Sequence, residues 1–288
     1  MKFGRDVVMS IGILTALVGA AVPARAQTQI TACGFNISTP GNYILKQDLN
    51  CPGGDGIDIN ASQVSLNLNN KKITCISSCG VGSEGINVNS LLALPGPNHV
   101  GIQGPGLISQ FWDGINVYST DYAQIALVTS TNNNNNGISA TGDTYLTVGS
   151  NVLVRNLGVG LFLINSTNSV ISYNDLSGNG DGLRLDGGTD NTANNNTASG
   201  NGAGTIRGWG ILVKTKNARV YSNVTNGNNM GIEILASTSL NPVTGNKIFN
   251  NTSSRGNTVI DLKDDNVSCG SNFWSSNVFL TNSPSCVQ

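Results

Sequence analysis

Six charged residues crowd the last third of the chain: Arg184, Asp186, Lys214, Glu233, Asp261 and Lys263. Charge is scarce elsewhere, since Asp, Glu, Lys and Arg make up only 11% of the 288 residues. The crowding is therefore the clearest pointer to chemistry. Two carboxyls about 5 to 9.5 Å apart can hydrolyse a glycosidic bond, and Glu233 with Asp261 is the pair that fits. Elimination from a uronate instead needs a cation to neutralise the substrate carboxylate and a base for the ring proton. Arg184 or Lys214 would be that base, with Asp186, Glu233 and Asp261 offering oxygen ligands to Ca²⁺. Glu233, Asp261, Arg184 and Lys214 are thus the catalytic candidates, and Asp186, Arg207, Trp209 and Lys263 the substrate-binding ones. Arg207 and Trp209 lie in an insertion, "GAGTIRGW". An aromatic wall beside charged groups suits a pyranose, which has an apolar face and polar edges. The single histidine, His99 in "GPNHVGI", reads as a turn residue.

Two tracks in the sequence say how these residues are positioned. The first is Asn-x-x-x-x-Asn, pairing Asn151 with Asn156, Asn174 with Asn179, Asn196 with Asn201, Asn223 with Asn228, Asn246 with Asn251 and Asn272 with Asn277. The second is Gly followed by alternating apolar residues: "GIDI" at 56, "GINV" at 85 and 114, "GISA" at 137, "GLFL" at 160, "GLRL" at 182, "GILV" at 210, "GIEI" at 231, and a degenerate "TVIDL" ending at Leu262. Both run at a period of about 22 residues with insertions, which is the signature of a stacked repeat. Each period holds short alternating strands between Gly/Asn turns and leaves no room for a helix. Such a strand buries its apolar face only when the next turn of chain stacks on it. Nine coils at about 4.8 Å each predict a rod on the order of 40 Å long.

Alternation sends the third residue of each Gly-apolar-x-apolar strand outward. That ladder reads Asp58, Asn87, Asn116, Ser139, Phe162, Arg184, Leu212, Glu233, Asp261, with Asp186, Lys214, Leu235 and Lys263 in the next row. The Asn pairs read as corners, because Asn tolerates left-handed backbone and its stacked amides can bond along the axis.

Residues 1–26 have a basic start, an apolar run and an Ala24-x-Ala26 site, which predict a secretory signal peptide and an extracellular or periplasmic protein. Residues 27–55 form the expected N-terminal cap, 56–262 the coils, and 263–288 the last coil and C-terminal cap. No later segment is apolar enough to span a membrane. The six cysteines suit an oxidising compartment, and their positions predict local bridges Cys33–Cys51, Cys75–Cys79 and Cys269–Cys286. The weak net charge of −1 argues against nucleic acid as partner.

The turns from "GIDINASQVSLNLNNKKI" at Gly56 to "NFWSSNVF" at Asn272 resemble those of right-handed parallel β-helix repeat proteins, the pectin-lyase-like superfamily. The resemblance implies an all-β, single-stranded parallel solenoid. It selects no activity, because the superfamily holds pectate lyases, polygalacturonases, alginate epimerases and noncatalytic proteins. The polygalacturonase pattern of Asn-Thr-Asp, Asp-Asp and Gly-His-Gly is absent, and pectate lyase motifs do not map residue by residue. The leading expectation is a noncatalytic protein that binds polysaccharide or surface glycan along the outward face of its C-terminal coils, needing no cofactor. A polysaccharide lyase, with Ca²⁺, or a glycoside hydrolase on the same face is the second, and a purely structural surface protein the third.

Overall fold

A computed structural model describes residues 27–89, 91, 94–202, 208–236 and 243–288. The segment read as a signal peptide, 1–26, and the binding candidate Arg207 lie outside these residues. Among the described residues there is no α-helix, only one short 3-10 turn at Val267–Cys269. The chain winds into two long sheets, of eleven and fourteen strands, in which every pairing is parallel. A third wall consists of short strands and isolated bridges running from Val152 through Asp175, Thr197 and Val224 to Thr252. Eleven rungs replace the nine expected because Phe35–Ile37 and Asn282–Ser283, in the segments read as caps, also join the eleven-stranded sheet.

Successive turns place Leu183, Leu185, Ile211, Val213, Ile232, Ile234 and Leu262 in the bore, each at most 1% exposed. Each buried aliphatic side chain of this kind contributes about 1.5–3 kcal/mol. The glycine track marks where coils approach most closely. A Cβ on Gly210 would lie 2.7 Å from both the Gly231 carbonyl oxygen and Asn228 Nδ2.

The Asn residues form ladders, and the corner itself belongs to their neighbours. In one ladder, the side-chain amides of Asn151, Asn174, Asn196, Asn223 and Asn251 each donate to Oδ1 of the next Asn, ending at Asn277, over 2.9–3.0 Å. Every Oδ1 also accepts the backbone N–H of the preceding ladder residue. The left-handed conformation falls one residue earlier, at Ser150, Tyr173, Asn195, Ser222, Asn250 and Ser276, with φ of 54° to 58°.

This geometry corrects the phase read from the sequence. Asn251, not Asn246, stacks on Asn223. Asn246 belongs to another corner, where its Oδ1 accepts the Ala218 N–H and its side chain donates to Asn272. In the earlier coils the Asn-x-x-x-x-Asn spacing spans the third wall, whereas at 246–251 and 272–277 it spans strands of the fourteen-stranded sheet, Lys247–Phe249 and Phe273–Ser275. The three expected disulfides are present, with Cα–Cα distances of 5.5, 6.1 and 6.1 Å. No described helix is long and apolar enough to cross a membrane.

Candidate functional site

Four strands of the eleven-stranded sheet carry the charged cluster: Asp181–Thr189, Trp209–Lys216, Met230–Ile234 and Ile260–Asp264. Their outward row reads Arg184, Leu212, Glu233, Lys263. Asp186 and Lys214 pair in the row beside it. Up to Glu233 this is the order predicted. The last coil is then displaced by two residues, so Lys263, not Asp261, follows Glu233. Asp261 takes the place that glycine holds in the other coils. The "TVIDL" alignment fails there because this coil lacks the glycine that set the phase, and Asp264 stands where Ile234 stands one coil earlier.

The cluster is nearly self-neutralised. Lys214 Nζ lies 3.1 Å from Asp186 Oδ1, and Arg184 Nη2 lies 3.6 Å from Asp186 Oδ2. The Arg184 guanidinium also sits 4.7 Å over the Phe162 ring, a cation–π contact. Glu233 is only 2% exposed although it points outward. Its Oε1 accepts from Lys263 Nζ at 2.7 Å, and its Oε2 accepts the indole N–H of Trp209. Lys263 reaches Asp265 at 2.7 Å as well. Burial works against the charge on Lys263, but the hydrogen bonds to Asp265 and Glu233 outweigh it and hold the ammonium pKa above the usual lysine value.

Asp261 is committed elsewhere. Its Oδ1 accepts from Asn257 at 2.7 Å, and its Oδ2 from the backbone N–H groups of Leu280 and Thr281 and the Thr281 hydroxyl. It fastens the C-terminal segment to the last coil. The hydrolytic pair of Glu233 and Asp261 is therefore not assembled on one outward row. The Ca²⁺ set of Asp186, Glu233 and Asp261 does not gather either, and no group of three or more potential ligands does so among the described residues.

Trp209 lies at the start of a strand, on the cleft that Arg184 and Lys214 also line. It opens its strand in the row before Gly210, is 9% exposed, and its backbone N–H donates to Asp181 Oδ1, 3.1 Å away. Trp209 and the almost fully buried Leu212 lie outside the apolar core of the bore. They line an open cleft of about 470 Å³ together with Arg184, Lys214, Asn229, Met230 and Leu235. Among the described residues, no carboxylate lines it.

Sequence reasoning missed a second acidic series, the residue just before each early glycine. Asp55, Glu84 and Asp113 each accept the backbone N–H at the same position one coil on, at 2.7–2.9 Å. Burial, then the neighbouring Asp113, pushes the Glu84 carboxyl up to about 8. Asp143, at another corner, is also raised to about 8 by burial, and its Oδ2 has no hydrogen-bond partner. The repeated acid-Gly dipeptides "DGI", "EGI" and "DGI" at 55, 84 and 113 were the available signal.

Residues 107–248 match the family model described as the right handed beta helix region. Three solved structures share the fold. A pectate lyase, Pel9A, is 14% identical, with 85% of this chain and 68% of that chain covered and a TM-score of 0.52. The periplasmic alginate epimerase AlgG is 17% identical, covering 85% and 76%, with a TM-score of 0.52. The polygalacturonase from Erwinia carotovora ssp. carotovora is 13% identical, covering 78% and 70%, with a TM-score of 0.53. No curated protein matches the chain significantly. The chain folds as a right-handed parallel β-helix, the fold it shares with these structures.

Proposed function

We propose that this is an exported, noncatalytic glycan-binding β-helix that takes a polysaccharide or surface glycan at the cleft beside Trp209. The observation that carries this reading is the pairing of the carboxylates. Asp186 is held by Arg184 and Lys214, Glu233 by Lys263 and Trp209, and Asp261 by Asn257 and the 280–281 segment. A nucleophile or general base needs a lone pair directed at substrate, and these are directed at protein donors. What remains in the cleft is an apolar floor of Leu212, Met230 and Leu235 edged by Arg184, Lys214 and Asn229. Its volume lies within the roughly 300–1,000 Å³ of ligand pockets, and its mixture of apolar and hydrogen-bonding groups suits a sugar ring. The disulfides fit an oxidising extracellular or periplasmic compartment, in line with the expected leader.

The second reading, a polysaccharide lyase, draws on Arg184 and Lys214 at the cleft edge and on structural neighbours that include a pectate lyase, an alginate epimerase and a polygalacturonase. Its base would have to be released from Asp186. The binding reading is tested by affinity electrophoresis through gels containing neutral or acidic polysaccharides. Retardation of the native chain by at least one glycan, relieved in Met230→Ala and Lys214→Gln, is expected. Unchanged mobility of the native chain on the whole panel would remove the reading.

A further inference from the structure

The fourteen-stranded sheet of the same C-terminal coils carries a second surface with opposite electrostatics. Its two outward rows run from Asn42 to Phe273 and from Ile44 to Ser275, and neither contains an acidic residue. Their charges are Arg219 and Lys247, which sit opposite each other on adjacent coils and are both exposed. Neither takes part in an ion pair among the described residues. In the row beside them Tyr221 and Phe249 stack, with centroids 4.9 Å apart and planes within 9°. Rings stacked along the coil axis occupy each other's faces and turn their edges outward. Aromatic edges carry the positive end of the ring quadrupole, so they reinforce the cations rather than offering a platform for the apolar face of a sugar. Thr192 and Asn194 continue the two rows toward the N-terminus with a hydroxyl and an amide.

We propose that the strip formed by Arg219, Lys247, Tyr221 and Phe249 binds a linear acidic polysaccharide lying along the coil axis, at a site separate from the Trp209 cleft. Cations one coil apart, about 4.8 Å, can meet carboxylates on successive sugars of an extended chain, while the half-buried Thr192 hydroxyl serves a sugar hydroxyl. Two cations are too few for the many phosphate contacts that drive nucleic-acid binding. The strip does not depend on the cleft, so failure of one leaves the other standing.

The test is isothermal titration of the full chain with polygalacturonate, neutral dextran and double-stranded DNA. Polygalacturonate is expected to bind and to weaken steeply with added NaCl, since exposed ion pairs are screened. Arg219→Gln/Lys247→Gln should weaken it about tenfold or more, equivalent to about 1.4 kcal/mol, and Arg219→Lys/Lys247→Arg should retain it. Lys216→Gln, which removes an exposed cation outside both rows and outside the cleft, should leave it within twofold. The proposal is overturned if the native chain does not bind polygalacturonate, if its binding ignores salt, if the double Gln variant binds like the native chain, if Lys216→Gln weakens it equally, or if DNA binds as well. The salt titration of the native chain decides the matter even where a variant misfolds.

Discussion

The two long sheets of the C-terminal coils are built from the same turns of chain yet present opposite outer faces. On the eleven-stranded sheet, Asp186 and Glu233 are saturated by Arg184, Lys214 and Lys263, and charge is folded into the structure. On the fourteen-stranded sheet, Arg219 and Lys247 stand exposed with no acid in their rows. Burial accounts for the difference. Glu233 is 2% exposed, and a carboxylate so placed persists only with a partner. Arg219 and Lys247 remain in water, where an unpaired charge costs little. A cluster of charges in a sequence is thus a poor guide to function until exposure is known, because the carboxylates of the most crowded face are already committed to protein donors.

The largest effect should come from the Asn ladder at the corner between the fourteen-stranded sheet and the third wall. Asn223→Ala removes the acceptor of the Asn196 N–H and side-chain amide and leaves them buried, so unfolding in urea should show a loss of about 3 kcal/mol or more, at about 1–3 per stranded group. A loss under about 0.5 kcal/mol would mean that this corner is held independently of the ladder. Next is a pH effect that belongs to neither face. Glu84 and Asp143 have folded pKa values of about 8, above their ordinary values of 4.5 and 3.8. The folded state therefore binds more protons between these limits. Stability is highest below about pH 4 to 5 as far as these two groups are concerned, and falls as pH rises to about 8. Melting at pH 5.5 should exceed melting at pH 8.5, and Glu84→Gln/Asp143→Asn should flatten the profile. An unchanged slope would place the titration elsewhere.

Smaller effects separate the faces directly. Lys263→Met strands the Glu233 carboxylate and should cost about 1–2 kcal/mol, less than for a fully buried pair because Lys263 is partly exposed, and Glu233→Gln/Lys263→Met should recover most of it. Lys247→Gln, by contrast, should change stability by no more than about 0.5 kcal/mol. If both lysine substitutions cost the same, the contrast between a compensated and an uncompensated face is wrong.

The solenoid was legible because its signals repeat. The glycine track identified nine of the eleven rungs of one sheet, and local cysteine spacing matched all three bridges. Legibility ended where the repeat lost its marks. Asp261 replaces glycine in the last coil, and Asn246 copies the Asn spacing from a different corner, so Asp261 and Lys263 were each placed one row out. The commitments of the carboxylates were hidden for another reason. That Trp209 would donate to Glu233, or that Asp261 would fasten residues 280–281, depends on side chains from different coils meeting, which no local pattern records. The acid-Gly series was visible as a motif, but only burial reveals the raised pKa of Glu84.

The central claim is that the eleven-stranded face binds glycan without turning it over. Prolonged incubation of the full chain with uronate and neutral polysaccharides, with and without Ca²⁺, tests it most directly. Ultraviolet absorbance of unsaturated products and release of reducing ends should both stay at the level of the substrate alone, for a polysaccharide that retards the same protein in affinity gels. Accumulation of either product, abolished in Lys214→Gln or Glu233→Gln, would contradict the account and make the face an active site.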